Sequence, residues 1–143
     1  MFKIALDAGH GYYTPGKRCL RSIDANETRD WWLNDRICDK VEVKLKVYGG
    51  YSLLRVDDTS GKKDIPLEDR VRKANEFGAD IYLSVHHNAG VSGGSGGGII
   101  SIAYTKASAK SKEYQKLIYD YLIKHTGLKG NRSTPLPLQN LFV

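Results

Sequence analysis

The sequence predicts an α/β fold, a single layered domain with a mostly parallel central sheet flanked by helices on both faces. Three observations carry this. Short segments rich in β-formers ("FKIALDA", "YSLLRV", "DIYLSVHH", "IISIAY") alternate with segments of helical periodicity. Glycines stand where two of those helices should stop. The run from Asp80 to His87 is nearly continuous in apolar residues, as in a strand covered on both faces. A length of 143 residues suits one hydrophobic core.

The elements follow in order. Residues 2–8 alternate weakly and form the first strand. Gly9 to Asn26, rich in Gly, Pro and charge, is a loop. Asn26 serves as a helix N-cap, with the acidic Glu27 just inside the first turn. Leu33, Ile37, Val41 and Leu45 then recur every fourth residue, giving a long helix that ends at Gly49-Gly50. "VEVKLKV" at 41–47 also alternates with the period of a strand, but the i,i+4 series runs through it unbroken. Residues 51–56 are the second strand. "PLEDRVRKANEFGA" is a helix opened by Pro66 and closed by Gly78. "DIYLSVHH" is the third strand and "IISIAY" the fourth. Between them, Ser92 to Gly98 is all glycine and serine, a mobile turn or a flap. Residues 107–126 form the last helix, with His125 at its end, where a basic side chain suits the helix dipole. Trp31 and Trp32 are adjacent on a helix, so one of them points inward.

Composition narrows the function. Hydrophobic residues make up 41% and charged residues 27%, as in a soluble globular chain. No stretch approaches the ~20 apolar residues of a membrane span. The N-terminal apolar run is short and broken by Asp7, unlike a signal peptide. Synthesis in the cytoplasm is therefore expected, with Cys19 and Cys38 as reduced thiols. The net charge of +6 favours an acidic partner. Lysines and arginines are spread along the chain and no nucleic-acid reading motif is present, so nucleic acid is not the expected one.

In a parallel sheet, ligands gather beyond the carboxyl ends of the strands. His10 follows the first strand and His86 ends the third, so both belong to that edge. Catalytic zinc takes three protein ligands and keeps one position open. His10 and His86 are candidates for two, and Glu27, at the start of the first helix, for the third; the alternative is that His10, between two glycines, simply terminates the strand. His87 points to the other face of an extended chain and is expected to pack or to face solvent, with competition for the metal as the alternative. Tyr12 and Tyr13 lie beside the proposed metal, either as a stacking surface for substrate or as a packed turn.

Three motifs in this order resemble the zinc-dependent N-acetylmuramoyl-L-alanine amidases of type 3, found in bacterial cell-wall hydrolases and phage endolysins. They are D-x-G-H-G at 7–11, R-x-x-x-A-N at 70–75 and S-x-H-x-N-A at 84–89. The resemblance runs from Ile4 to about Val143. It implies zinc held by His10, Glu27 and His86, with Asp7, Arg70 and Asn88 in supporting roles. It also implies peptidoglycan as partner and hydrolysis of the amide between N-acetylmuramic acid and L-alanine, in the cell wall, after release by a holin or by lysis. The family's further catalytic glutamate has no counterpart before Val143. Residues 1–143 are thus expected to be a catalytic domain lacking a final strand and helix, with no wall-binding module. The alternative is a fragment that binds zinc and wall but hydrolyses weakly or not at all.

Overall fold

The computed structural model describes residues 1–88, 98–130 and 136–140. The chain forms two compact units, Met1–Ala89 and Gly90–Val143. In the first, β1 (Phe2–Ala8), α1 (Asp30–Tyr48), β2 (Tyr51–Arg55), α2 (Leu67–Phe77) and β3 (Ile81–Val85) follow one another. The three strands make a parallel sheet in the order β2-β1-β3. This is the α/β architecture with a parallel sheet that the alternating pattern predicts.

The two faces of β1 explain the layering. Successive side chains of a strand point to opposite sides. Leu6 and Ala8 pack with Trp31 and Cys38 of α1, and Leu53, Leu83 and Val85 close around them. Ala5, on the other face, packs with Val56 and with Ala74 of α2. One helix therefore covers each side. The buried strand is β1, the middle one. β3, read from its apolar run as covered on both faces, is only half-buried, and Ser84 is exposed.

Sequence-predicted boundaries hold to within a few residues, apart from the start of α1 and the length of the fourth strand. α1 begins at Asp30 with Arg29 as its N-cap, not at Glu27 behind Asn26. Asp24 accepts hydrogen bonds from the amides of Asn26 and Thr28 and from the Thr28 hydroxyl. Those bonds hold 24–28 in a turn and delay the helix. The segment 41–47 is helical, and Gly49 donates back to the Leu45 carbonyl. α2 ends on Gly78 in the left-handed region, as its glycine predicts. Trp31 is the inward indole (7% exposed) and Trp32 the outward one (41%).

In the second unit, the predicted fourth strand shrinks to β4 (Ala103–Tyr104), paired in parallel with β5 (Leu138–Gln139). α3 (Ala109–Thr126) is capped by Ser108, whose side chain accepts from the Ser111 amide. Buried Gln115 on α3 donates to the carbonyls of Ser101 and Pro137, tying both sides of this small sheet to the helix. Most of the glycine run after His86, and the final Leu-Phe-Val, lie outside the described residues. Cys19 and Cys38 are free thiols. No helix among the described residues is long and apolar enough to cross a membrane.

Candidate metal centre

The ladder between β1 and β3 continues one step past the strands, where the Gly9 amide donates to the Val85 carbonyl at 3.0 Å. That step brings His10 and His86, each next in sequence, to the same sheet edge. Gly9 is required there. The His86 ring lies over it, and a Cβ at position 9 would overlap the imidazole. The two imidazoles meet edge to face with centroids 4.8 Å apart. His10 itself adopts φ +70, uncommon for a non-glycine residue, so the chain turns sharply at the donor.

Asp30 completes the group. One donor atom from each of His10, Asp30 and His86 falls within 4.8 Å of the others. Asp30 is the first residue of α1, and its amide donates to the Lys17 carbonyl, which pins the helix start to the 9–29 loop. Its Oδ2 stands 3.4 Å from His10 Nε2. Its Oδ1 already accepts from the His87 amide at 3.0 Å and from Asn34 Nδ2 at 2.9 Å. Desolvation, and then the neighbouring His86, lower the pKa of His10. That shift favours the neutral ring, which has a lone pair to offer.

Glu27 lies outside this group. Its carboxylate pairs with Arg18 at 3.1 Å, and its backbone has φ +48 within the turn that Asp24 organises. Expecting Glu27 to open the helix places the carboxylate three residues too early. The signal for Asp30 was present in "RDWWLN": an acidic first-turn residue with Asn34 one turn later on the same face.

Asp7 is bound to other residues than His10, Asp30 and His86. It is buried on the α2 side of β1, ion-paired with Arg70, and it accepts from Tyr82 Oη at 3.0 Å and Ser84 Oγ at 2.6 Å. Burial, followed by the Asp7 charge, raises the Tyr82 phenol. Arg70 reaches further, donating to the carbonyls of Ala8, His10 and Ile65 and to Asp64 Oδ1. It thus fixes the turn that carries His10. Gly11 and Thr14 finish that turn. The Gly11 amide donates to Thr14 Oγ1, which donates to Asp64 Oδ2. Asn88 is exposed, two residues past His86. Tyr12 stacks edge-on against Trp31 and Tyr13 and lies under Arg29, and Tyr13 is well exposed. His87 turns out to be part of the centre's frame through its amide and its Nδ1, which the alternation of strand faces does not reveal.

Two imidazole nitrogens and one carboxylate oxygen are the donor types that zinc takes when it keeps a position open. With Oδ1 of Asp30 engaged by protein donors, Oδ2 is the oxygen left for an ion. The residues present fit a divalent metal of this kind.

The similarities to known proteins agree with this architecture. A family model described as N-acetylmuramoyl-L-alanine amidase matches residues 4–141. The chain is 34% identical over 125 residues to the sporulation-specific N-acetylmuramoyl-L-alanine amidase of Bacillus subtilis (strain 168), covering 87% of this chain and 44% of that protein. It is 36% identical over 158 residues to the endolysin of Bacillus phage SPP1, covering 98% of this chain and 54% of that protein. The chain thus spans about half the length of these relatives. An N-acetylmuramoyl-L-alanine amidase from Clostridium difficile 630 superposes with a TM-score of 0.82 at 24% identity, covering 97% of this chain and 70% of that one. The catalytic domain of CwlV from Bacillus (Paenibacillus) polymyxa var. colistinus gives 0.80 at 23%, covering 99% and 72%. At such identities the likeness is one of fold. The family model runs through nearly the whole chain and encloses all three donors, so this protein is a member of the type-3 N-acetylmuramoyl-L-alanine amidase family.

Proposed function

We propose that this chain acts on peptidoglycan as a zinc-dependent N-acetylmuramoyl-L-alanine amidase, and that Asp30, not Glu27, is the third protein ligand beside His10 and His86. The observation that carries this is the convergence of those three side chains at the carboxyl edge of the sheet. A bound zinc would polarise the scissile carbonyl and lower the pKa of a water molecule. The chain's own residues do the rest. Arg70 holds the His10 turn through its carbonyl. Asp30 offers one oxygen while protein donors hold the other. Tyr12 and Tyr13 provide an exposed aromatic surface near the donors, suited to a sugar ring or a peptide stem. The names of the relatives support the substrate class, and an excess of basic residues suits an anionic wall.

Zinc content and release of muropeptides from purified walls test the proposal together. Asp30→Asn is expected to lose most bound zinc, whereas Glu27→Gln retains it, because Glu27 is engaged with Arg18. The reverse pattern would return the third ligand to Glu27. Zinc uptake without muropeptide release would favour a wall-binding fragment over a hydrolase.

A further inference from the structure

Asn34 sits one turn after Asp30 on α1 and is fully buried. Its amide touches each of the three segments that bring a donor to the centre. Nδ2 donates to the carbonyl of Gly9, the neighbour of His10, at 3.1 Å. The same nitrogen donates to Asp30 Oδ1 at 2.9 Å. Oδ1 meets Nδ1 of His87, the neighbour of His86, at 2.7 Å. No other orientation of the amide works. The Gly9 carbonyl and the Asp30 carboxylate only accept, so the nitrogen must face them, and its two hydrogens are then both used. The remaining oxygen only accepts, so His87 must carry a proton on Nδ1.

We propose that Asn34 is the positioning residue of the metal centre. Its amide ties the neighbours of His10 and His86 to Asp30 and turns the Asp30 carboxylate so that Oδ2 is the oxygen left for the ion. This rests on the metal reading above. A ligating carboxylate needs an outer partner to hold its orientation, and losing such a partner typically costs about 10- to 100-fold in metal affinity. Asn34 is matched to that role because every polar atom of its side chain is engaged and none reaches solvent.

A purely structural role would also make Asn34 intolerant of change, so the test needs a control and a second readout. Cys38, one turn further along α1, is equally buried but packs in the apolar cluster with Leu6 and Ala8. Zinc affinity of the full chain is measured by competition with a chromophoric chelator for wild type, Asn34→Ala and Cys38→Ala. The expected result is a loss of about 10- to 100-fold in Asn34→Ala and none in Cys38→Ala. Imidazole ¹⁵N spectra of the zinc-free wild type, above the imidazole titration range, should show His87 with its proton on Nδ1. Asn34→Ala should move that proton to Nε2. Equal losses in both variants, unchanged affinity in Asn34→Ala, or a wild-type His87 protonated on Nε2 would each overturn the inference. Where Asn34→Ala does not fold, the wild-type tautomer decides. A wild type that takes up no zinc sinks the metal reading and this inference with it. Wild type and Asn34→Ala binding zinc alike sinks this inference alone.

Discussion

His10 illustrates how one residue answers to several constraints. It takes a left-handed backbone at the end of a strand, its carbonyl is held by Arg70, and its ring faces another imidazole and a carboxylate. Desolvation and His86 lower its pKa below the ordinary 6.5. The unfolded chain therefore takes up this proton at higher pH than the folded one, and the associated stability is full above about 6.5 and is lost as pH falls toward the folded value. The zinc-free protein is expected to melt at progressively lower temperature as pH drops below about 6.5, and His10→Asn should flatten that slope. Asparagine suits the variant because it tolerates positive φ. Thermal melts of the two proteins across that range check this; parallel slopes would show that other groups govern the acid limb. The carboxyl of Asp35, raised by burial, acts in the opposite sense at lower pH.

At the scale of elements, α1 is the piece that both covers the sheet and supplies the carboxylate. Arg55 of β2 anchors it through Asp35 and Asp39, while Asp57 holds the same guanidinium from the strand side. Burial pulls the Arg55 pKa down, but the bonds to Asp57 and Asp35 outweigh it, so the charge stays. Beneath this network, desolvation pushes the Cys38 thiol up to about 12. Cys38 should therefore resist thiol reagents in the native protein and react only on unfolding, whereas the more accessible Cys19 reacts at once. Counting modified thiols with and without denaturant checks this, and two fast thiols in native protein would contradict it. The helix itself was legible because its apolar spacing is a local property of the sequence. Its first residue was not. The start depends on Asp24, whose side chain draws 24–28 into a turn, and "DANET" competes with an N-cap at Asn26 on equal local terms. That three-residue shift is what puts Asp30, and not Glu27, beside the two histidines. Likewise β3 reads as the buried strand from composition alone, while the sheet order gives that place to β1.

On the scale of the whole chain, the donors and both hydrophobic clusters lie within Met1–Ala89. A chain ending at Ala89 is expected to fold and to take up zinc as the full chain does. Circular dichroism with zinc titration would test this, and loss of zinc uptake in a folded fragment would show that residues beyond Ala89 complete the centre. The sheet edge was predictable at this scale because parallel strands send their following loops to one side, so His10 and His86 could meet there; the adjacency of β1 and β3 makes them neighbours. The parts played by Asn34 and His87 were not, since a buried amide bridging three segments leaves no periodic trace. The sheet order also bears on synthesis. β1 leaves the ribosome before β2 and β3, yet it is the central strand, and Lys3 meets Asp80 across 77 residues. At the usual pace of translation the first strand waits roughly 4 to 15 s for its second neighbour. During that interval Asp7 lacks Tyr82 and Ser84, Leu6 lacks Leu83, and His10 has no companion imidazole. The nascent chain thus passes through a vulnerable window that ends only when β3 docks, and slowing the ribosome between Gly50 and His86 should lower the yield of native protein.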